Sequence, residues 1–159
     1  MKLYDKIFLF ITFIFWIGCN APNINLATME LKNMKGRSRE ISDYKGDVVF
    51  LNFWASWCAP CMREMPEIAK AANILRKEDI HFILVSDESE KTIKDYVDKN
   101  GFDMEYLRSL QKFKDAGILS LPQTFILNRK GEILESYSSS RDWSSEESLA
   151  LLRNYIDQQ

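Results

Sequence analysis

Two cysteines separated by two residues stand where a buried strand leads into a helix. Cys58 and Cys61 follow the apolar run 48–54, which is short, rich in β-branched and aromatic side chains and without clear alternation. This composition is typical of a strand buried on both faces. After Pro60 the apolar residues recur at steps of four and three, which predicts one face of an α-helix. The cysteine pair is therefore predicted to lie at the beginning of a helix.

A helix N-terminus favours a reactive thiolate, because its unpaired N–H groups and its dipole stabilise an anion. We expect a lowered pKa for Cys58, whose sulfur would be a nucleophile near neutral pH. Pro60 suits the first helical turn, where its missing N–H costs nothing. Cys61 falls on the core-facing stripe and should be more buried and less reactive. The pattern predicts a redox dithiol with one attacking and one resolving sulfur.

The run 51–61, LNFWASWCAPC, resembles the active-site segment of thioredoxin-fold thiol–disulfide oxidoreductases. It is most similar to the membrane-anchored extracytoplasmic branch typified by TlpA, ResA and DsbE (CcmG), and the similarity extends from about Leu26 to the C-terminus. The resemblance implies an α/β, thioredoxin-like fold, with a central mixed sheet flanked by helices and an N-terminal β-hairpin extension. It also implies that the protein exchanges disulfide bonds with protein disulfides and dithiols, and that this reaction needs no cofactor.

The spacing of apolar residues, glycines and prolines predicts the order of the elements. The predicted strands are 26–31 and 37–41 (the extension), 48–54, 81–85, 104–107, 121–127 and 132–137. The predicted helices are 59–77, 90–99, 110–116 and 144–156, the last opened by a capping box of Ser144 with Glu147. The first β–α–β unit should be parallel and right-handed.

The dipeptide Leu121-Pro122 is a second point of resemblance. In thioredoxin-like proteins the peptide bond before this proline is cis and its loop faces the active-site disulfide. We therefore expect Leu121 and Pro122 to contact the partner chain, together with Trp57 beside the nucleophile. The alternative is an ordinary turn at the start of an edge strand.

Glu64 is a candidate proton acceptor, since it follows Cys61 by three residues. A half-buried carboxylate there would have a raised pKa and could take the proton of Cys61. ResA-like reductases carry a glutamate at this place, whereas thioredoxin has a buried Asp where this chain has Asn52, which cannot titrate. The alternative is a solvated helix charge that pairs with Arg63 or Lys70.

Other cysteine chemistry fits the sequence poorly. A zinc site needs four ligands, usually a second CxxC or paired histidines, and His81 is the chain's one histidine. Copper-delivery relatives of the same fold usually show CxxxC and a distal His. A peroxidase is disfavoured because no Thr-x-x-Cys surrounds Cys58. No metal site is predicted.

Residues 1–19 have the pattern of an export signal. Lys2 and Lys6 precede the apolar run 7–17, which is too short to span a bilayer comfortably. Cys19 after a small glycine resembles the lipidation site of a bacterial lipoprotein. An uncleaved anchor, plain secretion or a buried N-terminal element are the alternatives.

The length and composition fit one domain. A chain of 159 residues with 46% apolar residues builds a single core, and a net charge of −2 gives no basic surface for nucleic acid. Three cysteines are too few for a disulfide scaffold. The predicted organisation is a signal or lipoprotein anchor (1–19), a tether (20–25) and a thioredoxin-like domain (26–159), placed on the periplasmic side of a membrane.

The predicted function is reduction of partner disulfides, as in cytochrome c maturation, with electrons from a membrane or periplasmic donor. The alternatives are an oxidising, disulfide-forming protein and a non-catalytic lipoprotein that senses redox state or binds a partner.

Overall fold

The computed structural model describes residues 24–158, which form a seven-stranded mixed sheet and three α-helices. The strands are β1 (Leu31–Asn33), β2 (Ser38–Arg39), β3 (Val48–Phe53), β4 (Ile80–Ser86), β5 (Glu105–Ser109), β6 (Gln123–Leu127) and β7 (Ile133–Tyr137). The helices are α1 (Ala59–Ile74), α2 (Glu90–Asn100) and α3 (Glu146–Asp157). The sheet order is β2-β1-β5-β4-β3-β6-β7. The predicted α/β class is confirmed.

Strand β3 lies inside the sheet, and every one of its residues is buried. It pairs in parallel with β4 and antiparallel with β6, so the predicted parallel β–α–β unit is confirmed. Its side chains alternate between two cores. Phe50 packs with residues of all three helices, whereas Leu51 and Phe53 pack with the N-terminal segment and short 3-10 turns. The α-helices thus contribute to the core on one face of the sheet.

Helix α1 begins at Ala59 with Cys58 as its N-cap, and it ends at Ile74 rather than at the predicted Lys77. The chain turns immediately afterwards, since Glu78 N–H donates to the Leu75 carbonyl over 2.8 Å and leads into β4. Pro66 lies inside the helix, as expected.

The N-terminal extension contains the predicted hairpin, but the predicted strand 26–31 is wrong. Leu26–Thr28 is a 3-10 turn, and the strand begins only at Leu31. Leu26 and Met29 are both buried, a spacing of three that suits a helical turn better than a strand. The hairpin β1–β2 is antiparallel and joins the sheet through β5.

The C-terminal part contains the predicted hairpin β6–β7 and the helix α3. The predicted capping box is wrong: the N-cap is Ser145, whose side chain accepts from Ser148 N–H. The Ser144 hydroxyl donates instead to Glu67 of α1 over 2.5 Å, and Glu147 pairs with Arg141. Tertiary contacts therefore moved the cap by one residue.

Between residues 24 and 158, no helix combines the length and the apolar character that a bilayer span requires. The predicted signal or anchor, 1–19, lies outside the described residues, as does most of the predicted tether.

Candidate active site

Cys58 and Cys61 form a disulfide with an S–S distance of 2.08 Å. The Cys58 sulfur is the N-cap of α1 and accepts a hydrogen bond from the backbone N–H of Cys61 over 3.2 Å. Cys61 is fully buried, whereas Cys58 keeps 4% of its surface exposed. The local sequence explains this placement, because a short loop after the buried strand leads into the helix, whose first turn directs Cys61 into the core.

The loop before the cysteines is held by Glu88, which sequence reasoning did not single out. Its carboxylate accepts from Ser56 N–H over 2.6 Å and from the Ser56 hydroxyl over 2.7 Å. Ser86, at the end of β4, also donates to Glu88 over 3.3 Å. The loop that follows β4 therefore anchors the backbone immediately before Trp57.

Glu64 is buried, with 3% of its surface exposed. The Asn52 amide donates to its Oε1 over 2.9 Å, and the Arg141 backbone N–H donates to its Oε2 over 3.2 Å. Burial raises the pKa of Glu64, while these two donors and the nearby Trp143 indole oppose the rise. The indole N–H favours the charged form by proximity, although it makes no hydrogen bond of ordinary geometry. The expected pKa direction is confirmed, and Lys70 pairs with Glu67 instead.

Thr124 is a further member of this site that sequence reasoning missed. The register of β3 and β6 sets it opposite Asn52, and its Oγ1 accepts a second hydrogen bond from the Asn52 amide over 2.9 Å. Asn52 and Thr124 are both fully or almost fully buried. Asn52 therefore joins α1 to both β3 and β6 at the level of Glu64.

The Leu121-Pro122 peptide bond is cis, as expected. The next residue, Gln123, pairs with Phe53 at the end of β3, so the proline lies at the edge of the sheet from which the cysteine loop departs. Pro122 is buried and Leu121 half-buried.

An apolar groove of about 380 Å³ reaches Trp57, the residue immediately before Cys58. Trp57, 73% exposed, and Leu121 line it on the side of the site, and Leu119, 76% exposed, extends it. Lys112, Lys114 and Asp87 contribute charge to its lining, and Asp87 pairs with Lys112 over 3.6 Å. Two large exposed apolar side chains at one groove are typical of a surface that binds a partner.

A separate polar cleft of about 270 Å³ reaches Glu64. It is lined by Arg63, Glu64, Glu67, Ser140, Arg141 and Asp142. None of these residues lines the apolar groove. Glu64 can therefore exchange protons with solvent by a route that a molecule in the groove does not cover.

Metal ligands are not brought together in the described part of the chain, where no group of three or more His, Cys, Asp or Glu residues could hold an ion. His81 is exposed on β4 and its Nε2 lies 2.8 Å from Asp47.

The comparisons with known proteins agree with this geometry. The family model described as "AhpC/TSA family" matches residues 17–136. The thiol-disulfide oxidoreductase ResA of Bacillus thuringiensis subsp. konkukian is 31% identical over 124 residues, covering 75% of this chain and 68% of that protein. The chain belongs to the ResA-like thiol–disulfide oxidoreductases of the AhpC/TSA family.

Other ResA-like proteins and a solved structure extend this result. ResA of Geobacillus thermodenitrificans is 32% identical over 120 residues, covering 74% of this chain and 66% of that protein. A structure described as a putative thiol:disulfide interchange protein DsbE from Chlorobium tepidum superposes with a TM-score of 0.68 at 21% identity, covering 84% of this chain and 94% of that one. This likeness confirms the thioredoxin-like fold. In this ResA-like protein, Cys58 and Cys61 are the described cysteines, and Cys19 lies outside the described residues.

Proposed function

We propose that this oxidoreductase is a membrane-anchored, extracytoplasmic reductant of disulfide bonds in partner proteins. The observation that carries the proposal is the Cys58–Cys61 pair at the start of α1, followed within one helical turn by the buried carboxylate of Glu64. One rigid helix thus supplies a nucleophile, a resolving thiol and a proton acceptor.

In the reduced protein the Cys58 thiolate attacks one sulfur of a partner disulfide. A mixed disulfide forms, and the partner's second sulfur leaves as a thiolate that takes a proton from solvent. The Cys61 N–H, which donates to the Cys58 sulfur in the structure, stabilises the attacking thiolate in the same way.

Cys61 then resolves the mixed disulfide. Its thiol gives a proton to Glu64, and its sulfur attacks the Cys58 sulfur. The Cys58–Cys61 disulfide forms, and the partner sulfur that was bound to Cys58 leaves as a thiolate, which is protonated by solvent. Two electrons have passed to the partner. Glu64 then releases its proton through the polar cleft.

The partner chain binds at the apolar groove. Trp57 supplies an exposed apolar platform beside the nucleophile, and Leu121 and Pro122 present the backbone immediately before β6 begins. Because Asp87 pairs with Lys112, the groove lining keeps one net positive charge, at Lys114, which favours an acidic residue next to the apolar ones of the partner segment.

The direction of electron flow is proposed from the resemblance to ResA. A reductant of this kind needs a membrane or periplasmic donor to reduce its disulfide after each cycle, and a cytochrome c maturation-type role fits. The reduction potential tests this direction. A value near thioredoxin's roughly −270 mV is expected, whereas a value near DsbA's roughly −120 mV would identify an oxidant.

The location is proposed from residues 1–19 and from Cys19, which we assign as a lipidation site. Metabolic labelling with a radioactive fatty acid should mark the full chain and leave Cys19→Ser unlabelled. Label retained by that variant would rule out lipidation at Cys19.

Exchange activity is tested with the purified full chain in mild detergent, by reduction of insulin. Cys58→Ser should abolish the activity, and Cys19→Ser, a matched change at the third cysteine, should retain it. Activity that survives Cys58→Ser would leave only a sensing or partner-binding role for the pair.

A further inference from the structure

The segment 138–145 connects β7 to α3 and contacts Glu64 of α1. Within it, the backbone N–H of Arg141 donates to Glu64 Oε2 over 3.2 Å. Almost any residue could supply that N–H, so the backbone contact alone does not require an arginine. What distinguishes this position is how firmly the arginine side chain is held.

Arg141 is fixed at three places. Its Nε donates to the Ser148 hydroxyl over 2.9 Å, and its Nη2 donates to Glu147 Oε1 over 2.9 Å. Its guanidinium carbon also lies 5.5 Å from the centre of the Tyr137 ring and 5.6 Å from the Trp143 ring, within the range of cation–π attraction. A planar guanidinium satisfies hydrogen bonds and ring contacts in one fixed geometry, which a lysine ammonium cannot.

The groups that hold Arg141 are themselves fixed. Ser148 is 1% exposed, and its hydroxyl donates to the Asp142 carbonyl over 2.6 Å, which closes the segment back on α3. Trp143 is fully buried and meets the Phe50 ring edge-on, with ring centres 4.8 Å apart. The clamp therefore connects the segment to α3 and to the core under β3.

We infer that Arg141 is a positioning residue: its clamped side chain holds the segment 138–145 in place, so that its backbone N–H stays on the Glu64 carboxylate. The inference rests on the proposed role of Glu64 as proton acceptor. Asn52 donates to one carboxylate oxygen and Arg141 to the other, and both favour the charged form against burial. Without the clamp, the second donor is lost and Glu64 keeps its proton to higher pH.

Other groups also face Glu64 and set the background for this effect. On α1 they are Arg63 and Glu67, with Cys61 three residues before Glu64; on the sheet it is Asn52, which also contacts Thr124; and on the segment 138–145 they are the charged Arg141 and Asp142 with the Trp143 indole. The tests must therefore keep the charge at residue 141.

Two variants separate the clamp from charge. Arg141→Lys retains the positive charge but loses the planar guanidinium, and Ser148→Ala retains the arginine but removes one of its hydrogen-bond partners. Arg153→Lys is the matched control, because Arg153 lies on α3 and pairs with Glu78 outside both the groove and the cleft.

The experiment is a ¹³C NMR titration of the glutamate carboxyl groups in the full chain in detergent, with the Glu64 signal assigned by its absence from Glu64→Gln. We expect the pKa of Glu64 to rise by about one unit in Arg141→Lys, because one hydrogen bond to the charged carboxylate is lost. Ser148→Ala should give a smaller rise, and Arg153→Lys none. An unchanged Glu64 pKa in both clamp variants would overturn the inference, and if Arg141→Lys does not fold, Ser148→Ala decides alone.

The pH profile of insulin reduction separates this inference from the proposed function. If the profile moves with the Glu64 pKa, both hold. A Glu64 pKa that moves while the profile stays fixed upholds Arg141 as the positioning residue and removes Glu64 from the reaction.

Discussion

The side-chain amide of Asn52 donates one hydrogen bond to Glu64 Oε1 and one to Thr124 Oγ1, each over 2.9 Å. Its own oxygen has no hydrogen-bond partner among residues 24–158. The amide nitrogen thus links helix α1 to strand β6 through strand β3, and it places a neutral donor against a buried carboxylate. The consequences of replacing that donor can be measured.

Asn52→Asp should make the stability of the protein strongly dependent on pH. Two buried carboxyl groups in contact cannot both ionise cheaply, so the folded pKa of the pair is raised. The Asn52→Asp variant should therefore keep its stability below pH 4 and lose stability as the pH rises through the folded pKa of the pair. We expect urea unfolding at pH 8 to show a loss of about 2–3 kcal/mol relative to wild type, and much less at pH 4.

Asn33→Asp is the control for this change, because Asn33 accepts from Lys35 and Arg37 N–H groups through its side-chain oxygen in an exposed turn. It should leave the pH dependence nearly unaltered. Equal losses at pH 4 and pH 8 in Asn52→Asp would contradict the assigned contact with Glu64.

Glu64→Gln should slow the resolving step, since the proton acceptor for Cys61 is removed. General acid–base groups contribute about 10²–10⁴-fold, so we expect at least a tenfold fall in insulin reduction at pH 7. Stopped-flow release of a partner from the mixed disulfide measures this step. Glu135→Gln, a matched change at an exposed residue of β7 that lines neither the groove nor the cleft, should react like wild type. A resolving rate unchanged in Glu64→Gln would remove the carboxylate from the mechanism.

The same variant should also change stability in a pH-dependent way. Burial raises the pKa of Glu64 above its ordinary value of 4.5. The contribution of protonated Glu64 to the stability of wild type is therefore present in full below pH 4.5 and is lost as the pH rises through the folded pKa. Glu64→Gln should therefore gain stability relative to wild type as the pH rises from 4.5 to the folded pKa of Glu64, and the gain should level off above that pKa. A difference that is constant with pH would show that Glu64 ionises in the fold as it does in water.

Trp57→Ala should weaken reaction with a protein partner while leaving the fold intact. The side chain is 73% exposed and lines the apolar groove, so it contributes contact area rather than core packing. We expect kcat/KM for insulin to fall about 5- to 10-fold, a loss of about 1–1.4 kcal/mol, with an unchanged rate toward a small disulfide. Ile133→Ala, at an exposed apolar residue of β7, controls for surface hydrophobicity. Equal losses for both substrates would assign Trp57 to the chemistry instead of partner binding.

The local parts of the site were predictable from sequence. The cysteine pair and the helix start at Ala59 follow from neighbouring residues, the cis bond before Pro122 was expected from the family resemblance, and the structure contains all three. Glu64 was predicted to be half-buried, with a solvated helix charge as the alternative, and the structure buries it almost completely.

The long-range parts were not predictable from sequence. Thr124 becomes visible only when the register of β6 against β3 is known, and it could have been found by pairing the two predicted strands. Arg141 lies in a segment without periodicity, and its backbone contact with Glu64 spans 77 positions of sequence. The N-cap of α3 was predicted one residue too early, at Ser144, because the sequence does not show that the Ser144 hydroxyl binds the distant Glu67.

The central claim is that Cys58 attacks and Cys61 resolves, and a trapped intermediate tests it most directly. The full chain carrying Cys61→Ser is reduced, mixed with insulin, and the adduct is digested and sequenced by mass spectrometry. The account predicts a stable mixed disulfide at Cys58 and none in a Cys58→Ser variant treated in the same way. An adduct through Cys61 in Cys58→Ser, or one through Cys19 in either variant, would contradict it.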